Sequence, residues 1–179
     1  QEAYGLTKSM IRDNGPGVLL LPVKLMKTRG PCVVDNFLPL HKATVHRTAS
    51  QASIDAGKAV TVLTYLHGTK EAEDAIDQLN AEGYDCDLVE LTCLKPFDAE
   101  TVRTSLARTH KVCILDESTR SGGVGATMSA LVAETMFDEL DAPVSRLCME
   151  DAPVPYATEM ERAMVKRAAD LVEGVKAMC

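Results

Sequence analysis

Residues 59–91 read AVTVLTYLHGTKEAEDAIDQLNAEGYDCDLVEL, and this stretch decides the fold of the chain. Its first eight residues are apolar and rich in β-branched side chains, which is typical of a buried strand. Residues 70–83 then place alanine, isoleucine and leucine at helical spacing and end at Gly83, a common helix stop. Residues 86–91 return to a strand pattern. The stretch therefore predicts a strand–helix–strand unit with two parallel strands.

The same alternation continues towards the C-terminus. It predicts a helix over 98–110 with Asp98 at its N-cap, a strand over 111–116, a helix over 123–140, a strand over 143–148 and a helix over 159–178. Strands that alternate with helices through short connections are typical of the α/β class. The predicted fold is an open, mostly parallel sheet flanked by helices.

The first 57 residues follow another pattern. Residues 2–17 predict a helix that ends at an Asn-Gly-Pro sequence, and VLLLPV at 18–23 predicts a buried strand. One helix and one strand cannot bury their own apolar faces, so we expect residues 1–27 to be the tail of a preceding α/β domain. Residues 28–57 are interpreted as a linker with an exposed polar insertion. Residues 58–179 form the predicted second domain.

Composition restricts the class of protein. The 179 residues are 46% hydrophobic and carry a net charge of −7, without clustered lysine and arginine, so we expect no nucleic-acid partner. The sequence has no apolar run long enough for a transmembrane helix, and no membrane partner is expected. The six cysteines form no Cys-x-x-Cys pair, which indicates free thiols in a reducing compartment and no zinc site. The chain begins at Gln1 rather than methionine, which suggests a processed or partial chain.

A glycine cluster, SGGVGA at 121–126, lies between a predicted strand and a predicted helix, where backbone N–H groups can hold an anion. Its G-G-x-G spacing differs from the dinucleotide and phosphate-binding patterns, so close packing of the helix is favoured over phosphate binding. His67, Asp116 and Glu117 also lie at predicted strand ends. Acid–base chemistry is possible there, but a structural role is favoured.

Eight motifs carry a resemblance to a known family. In order they are EAYGLTKSMIRDNGP, NFLPLHKATVHR, VTVLTY, LKPFDAETV, THKVCILDES, GGVGATMSALVAE, LDAPV and DAPVPYA. In this order and spacing the chain resembles the C-terminal part of the E1 β subunits of pyruvate dehydrogenase and related 2-oxoacid dehydrogenases, within the transketolase-like superfamily. LKPFD followed by RSGGVGA is similar to the cyanobacterial and plastid type.

This resemblance implies an activity and an assembly. In the family, E1 decarboxylates pyruvate with thiamine diphosphate and transfers the acetyl group to a lipoyl group of E2. Two α and two β subunits assemble, and the α subunit holds the diphosphate and its Mg²⁺. The β subunit contributes a glutamate and a catalytic histidine from an N-terminal pyrimidine-binding domain, of which residues 1–27 are the expected remnant. We therefore transfer no catalytic or thiamine-binding residue to this chain.

One family site does map onto the chain. The β subunit binds K⁺ through backbone oxygens around the motif that matches SMIRDNG, which by position gives Met10, Ile11, Asp13 and Gly15. The resemblance also implies docking of E2, the dihydrolipoyl acetyltransferase, for which the helix 159–178, interpreted as acidic, and Cys179 are candidates.

Alternatives remain open at this point. The chain could belong to a branched-chain 2-oxoacid dehydrogenase E1 β subunit or another transketolase-like enzyme. It could also be a non-catalytic interaction module of the same fold. The expected location is the plastid stroma for a photosynthetic eukaryote, and otherwise the mitochondrial matrix or the bacterial cytoplasm.

Overall fold

The computed structural model describes residues 2–30 and 33–179 of the chain. Gln1, Pro31 and Cys32, on which the predictions for the start of the chain, the linker and the thiols partly fall, lie outside the described residues. The helices are α1 (Glu2–Arg12), α2 (Gln51–Asp55), α3 (His67–Ala81), α4 (Ala99–Thr109), α5 (Val124–Thr135), α6 (Thr158–Met164) and α7 (Ala168–Met178). The strands are β1 (Thr44–Arg47), β2 (Ala59–Thr64), β3 (Asp85–Glu90), β4 (Val112–Thr119) and β5 (Ser145–Met149).

The five strands form one sheet in the order β1-β3-β2-β4-β5. Strands β2 to β5 are parallel, and β1 pairs antiparallel with β3 at one edge. The prediction of an open, mostly parallel α/β sheet is confirmed. The chain runs from β2 to β3 on one side and then crosses to β4 on the other side, so the strand order reverses between β2 and β4.

Each face of the sheet has its own apolar core. Helices α3 and α7 cover one face, where Ile76 and Leu171 pack with Val62. Helices α4 and α5 cover the other face, where Leu106 and Met128 pack with side chains such as Leu63. Neighbouring residues of β2 thus point to opposite cores, as the two-residue period of a strand requires. Every residue of β2 is buried, which explains why the strand contains no charged side chain.

Two buried aspartates tie the helices and the chain before β2 to the sheet. Asp98, the predicted N-cap of α4, accepts hydrogen bonds from Thr101 N and from Ala43 N. Asp87 on β3 is 1% exposed and pairs with Arg108 at 2.8 Å. Asp87 also accepts from Ala49 N and Ser105 Oγ, so the buried charge is fully hydrogen-bonded.

Three sequence-based predictions differ from the structure. Residues 18–23 form no strand, and Val18 and Val23 are 86% and 79% exposed. The described residues offer no apolar surface that covers these side chains. An apolar run forms a strand only where it can pair and pack, so this run stays irregular. The predicted linker 28–57 contains β1 and α2, because Val45 pairs with Val89 on the sheet edge.

The predicted C-terminal helix 159–178 is two helices. Helix α6 ends at Met164, Val165 has extended backbone angles, and α7 begins at Ala168 with the Asp170 side chain capping its start. The segment carries four acidic residues (159, 161, 170, 173) and four basic residues (162, 166, 167, 176), so its description as acidic was wrong. In the part of the chain that the structure describes, no helix combines the length and the apolar character needed to cross a bilayer.

Candidate functional site

The crevice between the carboxyl ends of β2 and β4 is where an open parallel sheet of this order binds ligands. Here the protein's own side chains fill it. Tyr65 follows β2, and its hydroxyl donates to Asp116 Oδ1 of β4 at 2.6 Å. Asp116 is 2% exposed although it carries a carboxylate. The usual ligand position is therefore closed by a tyrosine–aspartate hydrogen bond.

The glycine cluster brings α5 directly against this carboxylate. Gly125 N donates to Asp116 Oδ2 at 2.7 Å, and Ser118 donates both its N–H and its hydroxyl. A Cβ on Gly125 would lie 2.7 Å from the same oxygen, closer than real Cβ atoms approach. The positive end of the helix thus holds an internal carboxylate in the place of a phosphate. The prediction of close packing is confirmed.

Electrostatics at this point favour the charged carboxylate. Burial acts to raise the pKa of Asp116, but hydrogen bonds from Ser118, Tyr65 and Gly125 outweigh it, so the pKa lies below its ordinary value. Burial, followed by the hydrogen bond to Asp116, raises the pKa of the Tyr65 phenol. Tyr65 therefore keeps its proton and Asp116 stays ionised, which suits a structural role. We call this hydrogen-bonded pair, which joins the end of β2 to β4, the lock.

His67 starts α3 beside this lock. Its Nδ1 lies 3.6 Å from Glu117 Oε1 and 3.9 Å from Glu71 Oε1, and it makes no hydrogen bond within the described residues. Arg167 pairs with the same Glu71 carboxylate at 3.2 Å. Leu66, just before the helix, has φ +53° and ψ −124°, a conformation that favours glycine. The structure thus brings three predicted candidates together at the carboxyl ends of β2 and β4, namely His67, Asp116 and Glu117.

A large cleft of about 960 Å³ lies beside the carboxyl ends of these strands. One wall is the N-terminal segment, which we define as residues 2–40, including the apolar residues 18–22. The other wall consists of residues that follow β2 and β3, including Tyr65 and Leu91 to Lys95. Two histidines, His41 and His46, also line it.

The four residues predicted to hold K⁺ lie where α1 ends. The Met10 carbonyl accepts from Asp13 N at 3.2 Å, and Gly15 N donates to Asp13 Oδ2 at 3.1 Å. Among the described residues, the carbonyls of Ile11, Asp13 and Gly15 accept no hydrogen bond. The segment is therefore a helix end with three spare backbone oxygens, and Ile11 is 74% exposed.

The other titratable candidates have separate local roles. His110 has φ +55° at the end of α4, and its Nδ1 lies 3.0 Å from the Glu139 carbonyl. Cys86, Cys113 and Cys148 are buried free thiols, and burial raises the pKa of Cys113 to about 12. Such thiols behave as small apolar groups.

The sequence patterns missed one cluster. His46 Nε2 lies 2.6 Å from Glu90 Oε2 and 3.9 Å from Glu2 Oε1. The hydrogen bond with Glu90 raises the pKa of His46 although burial opposes it. His46 lies on β1, a four-residue strand inside the predicted linker, and so short a strand gives too little periodicity to be recognised.

Comparison with known families identifies the family to which this fold belongs. Residues 50–171 match the family model described as "Transketolase, C-terminal domain". The chain belongs to this family. The match begins at the N-cap of α2 and extends into α7, so the transketolase C-terminal domain includes the Tyr65–Asp116 pair and the glycine cluster. The predicted boundary at residue 58 stays a prediction.

The predicted resemblance to E1 β subunits is also confirmed. The chain is 38% identical over 175 residues to the pyruvate dehydrogenase E1 component subunit beta of Porphyra purpurea, covering 97% of this chain and 50% of that protein. The Gracilaria tenuistipitata protein of the same name is 37% identical over 98% of this chain and 52% of its own length. A chloroplastic form, subunit beta-4 of Oryza sativa, is 34% identical over 99% of this chain and 42% of its length. The chain thus spans about half the length of these relatives.

Solved structures agree on the fold. A split-gene transketolase described as an inactive β4 tetramer is similar with a TM-score of 0.64 and 25% identity, over 82% of this chain and 44% of that one. A 2-oxoglutarate:ferredoxin oxidoreductase from Magnetococcus marinus has a TM-score of 0.50 at 13% identity, over 76% of this chain and 19% of that one. The second likeness concerns the fold alone.

Proposed function

We propose that the chain is the C-terminal portion of the β subunit of a pyruvate dehydrogenase E1 component. Assembled with the rest of E1, it takes part in thiamine-diphosphate-dependent decarboxylation of pyruvate and transfer of the acetyl group to lipoyl-E2. One observation carries the proposal: the E1 β subunits of Porphyra purpurea, Gracilaria tenuistipitata and Oryza sativa align with 97–99% of the chain at 34–38% identity. The alignment includes the N-terminal segment, which lies outside the 50–171 match.

The role that we assign to this portion is assembly. Val18, Leu20, Val23 and Met26 are each more than half exposed. Contiguous exposed apolar surface is a mark of an interface. We expect this surface to be covered by the other half of the β subunit, by the α subunit or by a second β subunit. The split-gene transketolase supports this, since that structure is an inactive tetramer of β chains.

The cofactors belong elsewhere in the proposed enzyme. Thiamine diphosphate carries a negatively charged diphosphate that needs Mg²⁺ and N–H donors. At the glycine cluster those donors already bind the Asp116 carboxylate, so the residues there do not fit a diphosphate. We assign the diphosphate and Mg²⁺ to the α subunit, and no step of the reaction to a residue of this chain.

Potassium is the one ion that we propose for residues of this chain. Backbone carbonyls are suitable K⁺ ligands, and Ile11, Asp13 and Gly15 present such oxygens beside Met10. If K⁺ binds, the melting temperature of the assembled β subunit will be higher in potassium chloride than in choline chloride at equal ionic strength. Equal melting temperatures would argue against this part of the proposal.

The activity is tested by reconstitution. The chain, the upstream half of a β subunit and the α subunit are combined with thiamine diphosphate and Mg²⁺, and acetylation of a lipoyl domain is measured. We expect activity with pyruvate that is lost when the chain is omitted. Preference for 2-oxoisovalerate would identify a branched-chain enzyme instead. Binding without activity towards any 2-oxoacid would identify an interaction module.

Assembly is tested with a matched pair of surface variants. Val23 is 79% exposed in the N-terminal segment, and Phe137 is 72% exposed after α5. We expect Val23→Asp to reduce co-purification with the other E1 polypeptides at least about tenfold, because a charge at a buried apolar contact is costly. Phe137→Asp is the control. Equal effects of both variants would contradict the assigned interface.

Two further proposals follow from the relatives. A plastid location is supported by rice relatives that are named chloroplastic. Docking of E2 is the second proposal, but the balanced charge of the segment 159–178 gives no electrostatic preference for a basic partner. Exposed Cys179 at the end of α7 stays a candidate contact.

A further inference from the structure

Three residues that line the cleft lie close together although they come from three separate elements; they are Glu2, His46 and Glu90. Glu2 begins α1, His46 lies on β1 and Glu90 ends β3. One ligand-type atom from each lies within 4.8 Å of the other two. Glu90 is 7% exposed, so one carboxylate of the cluster is buried. We call these three residues the Glu-His-Glu cluster.

The two carboxylates of the cluster share one cationic side chain as their salt-bridge partner. Within the described residues, His46 is the partner in every salt bridge of Glu2 and of Glu90. Lys70, which lines the same cleft, is bound to Asp74 at 2.6 Å. A single imidazole, even when protonated, offers one charge to two carboxylates. A divalent cation would neutralise both and would leave the imidazole neutral, as a metal ligand must be.

The donor set selects the kind of cation. One imidazole nitrogen and two carboxylate oxygens suit zinc and other first-row transition metals, whereas Mg²⁺ and Ca²⁺ take oxygen ligands. Zinc bonds of about 2.0–2.2 Å in a tetrahedral site place ligand atoms about 3.3 Å apart. The observed separations of 2.6 Å and 3.9 Å bracket that value. Shifts of about 0.6–0.7 Å in the ligand atoms would bring these two separations to that value.

The three residues lie on the wall of the cleft, so a ligand in the cleft would reach the metal directly. Three protein ligands and an open position are the arrangement of a reactive rather than a closed structural zinc site.

We propose that Glu2, His46 and Glu90 form a zinc-binding site at the junction of α1 with the sheet edge. The site joins the N-terminal segment to β1 and β3, and an oxygen or nitrogen ligand in the cleft completes the coordination. The proposal is independent of the E1 activity.

The first experiment measures zinc binding to the metal-free chain. Zinc chloride is titrated by calorimetry into the native sequence, His46→Ala, Glu2→Gln and the control His41→Asn. His41 lines the same cleft, and its Nδ1 lies 3.7 Å from Cys93 Sγ, so the control removes the competing thiol–imidazole pair. We expect about one zinc ion per chain, and binding at least about tenfold weaker in His46→Ala and in Glu2→Gln but unchanged in His41→Asn.

The second experiment identifies the ligand atoms. Cobalt(II) in place of zinc should give visible absorption without a thiolate charge-transfer band, because the cluster contains no sulfur. Glu2 is exposed at the start of a helix, so Glu2→Gln will fold even if His46→Ala does not. The proposal is overturned if zinc binding survives both substitutions, if it is lost in His41→Asn, or if the metal-free chain binds no zinc.

Discussion

The N-terminal segment and the sheet body, residues 59–179, are both rich in apolar residues, yet they use them differently. Among the described residues of the N-terminal segment only Gly5 is buried, whereas all of β2 is buried. The sheet body closes two cores with its own helices. The N-terminal segment leaves Val18, Leu20 and Val23 exposed. Apolar character thus predicts burial, but it does not say which polypeptide provides the partner surface.

The largest expected effect tests this difference with one substitution in two places. Leu63 is 0% exposed and Leu20 is 55% exposed. Leu63→Ala should lower the free energy of unfolding by about 3–4 kcal/mol through lost burial and a residual cavity. Leu20→Ala should change it by less than about 0.5 kcal/mol. Urea unfolding followed by circular dichroism measures both values.

A large effect of Leu20→Ala would mean that the N-terminal segment is buried in solution, for example in an oligomer. Repeating the urea experiment over a range of protein concentrations distinguishes that case. A concentration-dependent midpoint would show that other copies cover the segment.

The second comparison concerns charge. Arg108 pairs with Asp87, whose side chain is 2% exposed, whereas Arg47 pairs with Asp77, whose side chain is 63% exposed. Arg108→Ala leaves a buried carboxylate without its cation and should cost about 3 kcal/mol. Arg47→Ala should cost less than about 1 kcal/mol. Thermal unfolding is the measurement, and similar losses for the two variants would show that the buried pair contributes no more than a surface pair.

The third comparison uses two glycines. A Cβ at Gly125 would lie 2.7 Å from Asp116 Oδ2, whereas a Cβ at Gly30 meets nothing within 4 Å. Gly125→Ala should destabilise the chain by about 2 kcal/mol because α5 must move away from the lock. Gly30→Ala should stay within about 0.5 kcal/mol of the native value. An unchanged melting temperature for Gly125→Ala would contradict the close packing of α5.

These contrasts also explain how far the sequence could predict the structure. The sheet body was predictable because each strand and helix carries its own period, and Asp98 is a typical N-cap. The role of the glycine cluster was predictable because its spacing fits no phosphate motif. Both inferences need only local sequence.

The rest depended on contacts that local sequence does not encode. Strand β1 is only four residues long and forms because its residues pair with β3. Helix α7 begins as a separate helix because the Asp170 side chain accepts a hydrogen bond from Arg167 N. In the Glu-His-Glu cluster, 44 positions separate Glu2 from His46, and another 44 separate His46 from Glu90. No motif spacing covers such distances. The run 18–23 was predicted as a strand from its apolar pattern alone, and a local pattern does not show whether the chain also supplies a neighbouring strand to pair with it.

The smallest expected effect is the pH dependence of the Tyr65–Asp116 pair. Hydrogen bonds lower the pKa of Asp116 in the folded chain below the unfolded value of about 3.9. Its stabilising contribution is therefore fully present above that unfolded pKa and is lost as the pH falls through the folded pKa. The free energy of unfolding should fall more steeply between about pH 5 and pH 2 for the native sequence than for Asp116→Asn, which has no carboxylate to titrate there. Asp138→Asn, an exposed site after α5, is the control and should keep the native slope. Equal slopes for all three chains would show that the lock holds its carboxylate no more tightly than water does.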